Sequence, residues 1–190
     1  CVDNICYDLD HKIAKYVQKN NEKIGGVYAY EDLALQTFYT AKKYNIKCLY
    51  DLPIGYWRAM RSLLNEERTK NPEWAITLGG FNDSNKKLQR KDEELKLADK
   101  IYVASSFTKK TLEIYPGKLA NIEVIPYGFP PVNTQRKYDE IQNRKIKVLF
   151  VGGLSQRKGL SYFFEAIEGL EDKIEATVVG RGNMETCPAL

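Results

Sequence analysis

Residues 145–159 constrain the fold most, reading Lys145-Ile-Lys-Val-Leu-Phe-Val-Gly-Gly-Leu-Ser-Gln-Arg-Lys-Gly159. Ile146 to Val151 is a short apolar run rich in β-branched residues, the pattern of a buried strand. Gly152 and Gly153 follow it, and glycine lets a backbone turn sharply or come close to a ligand. Ser155 has the chemistry of an N-cap. Leu160, Phe163, Phe164 and Ile167 then recur at helical spacing. The unit reads as strand, glycine turn, cationic corner with Arg157 and Lys158, then helix.

Such a corner suits an anion. Backbone N–H groups at a helix start lack partners and carry partial positive charge, a field worth roughly 0.3–1 kcal/mol at a surface. A Lys or Arg beside it adds charge-assisted hydrogen bonds of roughly 1.5–3 kcal/mol each. A diphosphate is the anion this reading favours; the alternative is a plain βα turn with solvated cations, since Gly often follows a strand. Other phosphate motifs fail on residues. Lys158 is followed by Gly159 instead of Ser or Thr and lacks the preceding Gly of a Walker loop. Gly180-Arg181-Gly182 continues as Asn183-Met184-Glu185, which breaks a dinucleotide fingerprint.

The rest of the chain alternates in the same way. Helices are expected over Asp8–Lys19, around Ala34, Phe38 and Ala41 with Asn45 closing, and from Trp57 to Thr69 before Asn71-Pro72. The charged run 85–100 reads as a solvent-facing helix with Leu88, Leu95 and Ala98 inward, and Ser105 or Ser106 caps another. Strands are expected at Val27–Tyr30, Ile46–Tyr50, Ile101–Ala104, Ile122–Ile125 and Ile174–Val179. The alternation predicts an α/β protein with parallel sheets. Pro130-Pro131 and the polar stretch after it place a linker at 133–143, between a domain over 1–132 and a second over 144–190. Asp51, Tyr56 and Trp57 should lie at the C-terminal edge of the first sheet, where open α/β sheets bind ligands. A turn-capping Asp51 and a core-packed Trp57 are the bland alternatives.

Composition removes other classes. A net charge of +4 over 190 residues is too mild for a dedicated nucleic-acid binder. No apolar run approaches the ~20 residues that span a membrane, and no signal-peptide pattern is visible. The basic cluster Lys86-Lys87 with Arg90-Lys91 has the chemistry for weak contact with anionic lipid, although Asp92, Glu93 and Glu94 neutralise it. Cys1, Cys6, Cys48 and Cys187 form no Cys-x-x-Cys pair and His11 is the sole histidine, which argues against a zinc site. Reduced thiols and a cytoplasmic location are the expectation. Asn82-Asp83-Ser84 matches a glycosylation sequon, one short match without a secretory signal.

Four blocks together resemble glycosyltransferase family 4, the retaining GT-B enzymes. Phe150 to Gly159 resembles the opening of that family's donor-binding domain. Glu94-Leu-Lys-Leu-Ala-Asp99 followed by Ile101 to Phe107, then Ile122-Glu-Val-Ile-Pro-Tyr-Gly128, resemble blocks of its first domain. Ala176-Thr-Val-Val-Gly-Arg-Gly182 resembles the second strand of its second domain. The resemblance implies two Rossmann-like domains, both incomplete here, and transfer of a sugar from a nucleotide-sugar donor to an acceptor hydroxyl with retention. It implies that Arg157 and Lys158 bind the donor diphosphate and stabilise the leaving group, that Gly152 and Gly153 admit it, and that Gly180 and Gly182 shape the nucleoside pocket. Asp51 and Tyr56 become acceptor-side candidates. The acceptor class it implies is a glycan or lipid-linked sugar in cell-surface polysaccharide or glycolipid synthesis, with no cofactor and no metal, in the cytoplasm or at the inner membrane face.

Two departures stand out. Many relatives have Gly-Arg at Gly152-Gly153, so Arg157 is taken to substitute for a missing cation. The family's glutamate pair for the donor sugar would lie beyond Leu190, and Glu165 and Glu168 are not it. A non-catalytic GT-B-like binder and a different Rossmann-like enzyme are the competing classes. The chain starts at Cys1, without a Met, and ends soon after its last expected strand, so a fragment is expected. About 50 residues of a second domain would bury little surface. We therefore expect no turnover from this chain as it stands, and steady sugar transfer by the purified chain would refute that.

Overall fold

The computed structural model describes residues 2–135, 137, 144–182 and 187–190. Most of the expected linker, 136 and 138–143, lies outside the described residues, as do Cys1 and the 183–186 part of the end expected to fray. The chain forms two units. The first is Cys1–Met60 with Asn82–Gly128, and the second is Arg61–Phe81 with Phe129–Leu190.

In the first unit, strands β1 (Gly26–Tyr30), β2 (Lys47–Leu52), β3 (Lys100–Val103) and β4 (Asn121–Val124) form a parallel sheet in that order. Its helices are α1 (Val2–Lys19), α2 (Leu35–Lys43), the start of α3 (Trp57–Lys70), α4 (Asn85–Leu97) and α5 (Ser106–Thr111). A sheet built in sequential order with right-handed crossovers receives its connecting helices on one face. Burial follows that rule. Cys48, Tyr50, Leu52, Ile101 and Val103 are buried against Val17, Phe38, Ala41 and Leu95. The alternate residues Tyr28, Tyr30, Leu49, Asp51 and Tyr102 line a cleft on the other face. The β2 pattern is therefore alternating, unlike the continuous apolar run of a strand covered on both faces.

Local signals explain the ends of these elements. Asn45 sits at φ 57° just past α2, a conformation Asn tolerates well. The Ser84 hydroxyl accepts from the Lys87 amide at 3.3 Å and Ser105 Oγ from the Thr108 amide at 3.1 Å, so both helices start at N-caps. The start of α2 is different, because Ala34 at its N-cap position offers no side-chain acceptor. Glu94 supplies one from α4: Oε2 accepts from the Asp32 amide at 2.8 Å and Oε1 from those of Ala34 and Leu35 at 3.1 Å. Asp10 on α1 accepts from the Gln36 and Thr37 amides, each at 2.8 Å. Arg90 bridges the two carboxylates, 2.6 Å from Asp10 and 3.0 Å from Glu94.

This cluster corrects the reading of the charged run. Helix α4 buries Leu88 and Leu95 as expected, but it also buries Lys91 and Glu94. Lys91 pairs with Glu31 at 2.7 Å, and Lys87 with Asp3 at 2.9 Å and Asp83 at 3.1 Å. Three of the four cations that suggested lipid contact, Lys87, Arg90 and Lys91, are turned inward with side chains 16%, 10% and 7% exposed. A basic patch for an anionic surface is therefore not available there. No helix among the described residues is long and apolar enough to cross a membrane.

The second unit holds a two-stranded parallel sheet, β5 (Ile146–Val151) and β6 (Ile174–Val179), with α6 (Leu160–Ile167) between them in sequence. Arg61–Phe81 belongs to it, a grouping the expected 1–132 domain does not contain. The cause is packing. Trp74 is buried with Leu160 and Cys187, and its ring lies 5.9 Å from that of Phe164.

Glu94 yields a stability test. Burial raises its carboxyl pKa to about 7, outweighing the lowering by Arg90 and the backbone amides. Between the unfolded value near 4.5 and about 7, the folded chain holds a proton that the unfolded chain has released. This contribution is full below that window and is lost as pH rises through it, on the order of 3 kcal/mol. Thermal melts from pH 5 to 8 should show falling stability, and Glu94→Gln should flatten that slope.

Candidate functional site

The cationic corner is built at the C-terminal end of β5. The Gly152 amide donates to the Val179 carbonyl at 3.0 Å and the Leu154 amide to the Arg181 carbonyl at 2.8 Å, which carries the β5–β6 pairing into both turns. A 3-10 turn, Gln156–Lys158, follows, and Gly159 at φ 71° joins it to α6. That left-handed conformation makes Gly159 the position in this corner whose backbone requires glycine. The Ser155 hydroxyl makes no capping bond, so the expected N-cap is not formed. Gln156 takes over: its side-chain Oε1 accepts from the Ser161 amide at 3.1 Å.

Arg157 and Lys158 are exposed and make no hydrogen bond or ion pair among the described residues. The corner amides divide into two sets. Those of Ser155, Gln156, Lys158, Gly159 and Ser161 are bonded within the protein. Those of Gly153, Arg157 and Leu160 have no partner among the described residues. Leu160 is wholly buried, so an anion here would meet the two exposed cations and the amides of the exposed residues Gly153 and Arg157.

The glycines play distinct parts. A Cβ at Gly153 would meet nothing within 4 Å, so packing does not demand glycine there. A Cβ at Gly180 would lie 1.7 Å from the Gly152 carbonyl oxygen, and one at Gly182 would lie 2.5 Å from the Leu154 Cβ. These two glycines let the turn after β6 lie against the turn after β5.

In the first unit, Asp51 lies on the open face of the sheet in a cleft of about 470 Å³. Tyr28, Tyr30, Tyr102 and Tyr127 line it, with the strand-end segment Ile125–Gly128. The Tyr28 hydroxyl donates to Asp51, and that bond holds its pKa well above the ordinary tyrosine range. Tyr28 and Tyr30 remain 54% and 46% exposed, so their rings are available to a ligand. Tyr56 is elsewhere. It is wholly buried, its hydroxyl donating to Asp92 at 2.8 Å and accepting from Arg58 Nε at 2.8 Å. Trp57 Nε1 donates to the same Asp92 at 2.7 Å, so the pair anchors the start of α3. The tyrosine cleft was missed in the sequence; its signal was alternation, with Tyr28, Tyr30, Leu49 and Asp51 at every second strand position. Among the described residues no group of three or more His, Cys, Asp or Glu side chains could hold a metal ion.

No family model matches the sequence, and no curated protein does. The fold bears a low-level likeness to UGT2 of Phytolacca americana, in a structure complexed with UDP-2fluoro-glucose and pterostilbene, at a TM-score of 0.41 and 11% identity. The match covers 90% of this chain and 51% of that one, so this chain spans about half the length of that protein. A likeness at this level carries neither substrate nor mechanism across.

The two-turn contact gives a second test. Gly180→Ala must push the Gly152 carbonyl aside, at an overpacking cost of about 1–3 kcal/mol or more. The urea midpoint of the second unit should fall, while Gly153→Ala, facing open space, should leave it within about 0.5 kcal/mol.

Proposed function

We propose that this chain is part of a retaining GT-B glycosyltransferase of family 4, and that the Arg157–Lys158 corner holds the diphosphate of a nucleotide-sugar donor. The observation that carries this reading is the pair of exposed cations, without partners among the described residues, beside the unpartnered amides of Gly153 and Arg157 at the C-terminal end of a parallel strand. Ligands of open parallel sheets bind at such ends. Support also comes from the blocks of the resemblance, which fall on the end of α4 with β3, on β4, on β5 with its corner, and on β6 with its turn.

In this reading, an acceptor hydroxyl oxygen bonds the anomeric carbon as the bond from that carbon to the diphosphate oxygen breaks. Negative charge grows on the leaving diphosphate, and Arg157 and Lys158 stabilise it there, with Arg157 replacing the cation absent at Gly153. The acceptor side is the tyrosine cleft. Asp51 accepts hydrogen bonds from sugar hydroxyls, and the exposed tyrosine rings offer flat apolar faces. The acceptor is a glycan or lipid-linked sugar, the transferred group a hexose, and the setting the cytoplasm. Tyr56, buried on Asp92, supports the fold of the first unit and is not assigned to the acceptor.

Two measurements check the proposal. Titrating uridine diphosphate into this chain should shift the backbone amide NMR signals of Gly153, Arg157 and Lys158, and Arg157→Ala with Lys158→Ala should abolish the shifts. Their absence in the unsubstituted chain would remove the donor site. In an active enzyme carrying this sequence, Lys158→Ala should cost about 2–4 kcal/mol of transition-state stabilisation. An unchanged kcat/KM would take Lys158 out of the mechanism.

A further inference from the structure

The residue just before the two free cations is among the most tightly held in the second unit. Gln156 is 2% exposed. Its amide donates to Thr77 Oγ1 at 2.9 Å, its Nε2 donates to Glu67 Oε2 at 3.0 Å and Ser161 Oγ at 2.7 Å, and its Oε1 accepts from the Ser161 amide. Glu67, on α3, is held in turn. It accepts from the Tyr162 hydroxyl at 3.0 Å and from Asn71 Nδ2 at 3.2 Å. The Gln156 bond is the foremost cause of a Glu67 pKa below the ordinary carboxylate value. One buried amide thus joins the start of α6 to a carboxylate 89 residues away in sequence, and the next two residues project from it as cations without partners.

We propose that Glu67 and Gln156 are positioning residues for the anion corner. Glu67 fixes the Gln156 carboxamide, Gln156 fixes the 3-10 turn, and the turn directs the Arg157 and Lys158 side chains and the free Arg157 amide to one place. Long cations lose conformational freedom when they bind, and a rigid base limits that loss to the side chains themselves. The segment Arg61–Phe81 is then part of the donor site's support. This inference rests on the corner being the diphosphate site, so its test has one arm that needs no ligand.

The first arm is hydrogen exchange of backbone amides in this chain. Gln156→Leu and Glu67→Leu should speed exchange at Lys158 and Gly159 at least tenfold relative to β5. Glu67→Gln, which keeps an acceptor for Gln156 Nε2, should restore most of the protection. Val178→Ala, a core change outside the network, should lower the melting temperature without that local effect. The second arm is the affinity for inorganic pyrophosphate, expected to weaken at least tenfold in Gln156→Leu and stay within twofold in Val178→Ala. Unchanged local exchange in both leucine variants, or the same local change in Val178→Ala, would overturn the proposal. So would pyrophosphate binding by Gln156→Leu within twofold of the unsubstituted chain. If the unsubstituted chain binds no pyrophosphate, the donor-site reading fails, and the exchange arm alone decides whether Glu67 and Gln156 hold the corner.

Discussion

The first amides of a helix have no partner inside it, and two helices of this chain satisfy theirs with side chains from elsewhere. At α2 the donors meet Glu94 and Asp10, which come from α4 and α1 and are joined by Arg90. The cluster is buried, so each member depends on the others. Deleting one would leave a charge unpaired in the interior, a loss of about 3–5 kcal/mol in comparable cases. It also fixes which side of α1 faces inward. Asp10, Ala14 and Val17 are buried, while Leu9, Ile13 and Tyr16 remain exposed.

The start of α6 repeats the solution on a smaller scale and with a different consequence. Gln156 satisfies the Ser161 amide, while the Arg157 amide, beside two exposed cations, has no partner among the described residues. A buried carboxamide held by a carboxylate 89 residues away in sequence fixes the backbone of this corner with or without an anion.

Much of this was legible in the sequence. The strand at Ile146–Val151 and the Ser105 cap follow from residue type and spacing alone. The apolar run predicts a buried strand, but its Leu149 and Val151 are 63% and 70% exposed, because only β6 pairs with it among the described residues. The reading of 85–100 as a solvent-facing helix went astray because composition shows Lys91 and Glu94 as charges and cannot show their partners. Glu31 and Asp32, which pair with Lys91, and the Asp32, Ala34 and Leu35 amides that hold Glu94 lie far away in sequence. Desolvating a charge is tolerable only where such partners converge. Gly180 and Gly182 read as pocket-forming glycines, but their steric reason is the neighbouring turn, visible only once β5 and β6 pair.

The sequence by itself determined the alternation of strand and helix, the parallel class of both sheets and the cationic corner, because these depend on local propensity, periodicity and the right-handedness of crossovers. Tertiary structure alone decided that Arg61–Phe81 joins the second unit, that Tyr56 lies in the core and that the tyrosine face stays open around Asp51. Those outcomes depend on which distant groups satisfy buried donors, acceptors and apolar surfaces, and such partnerships leave no periodic trace in the chain.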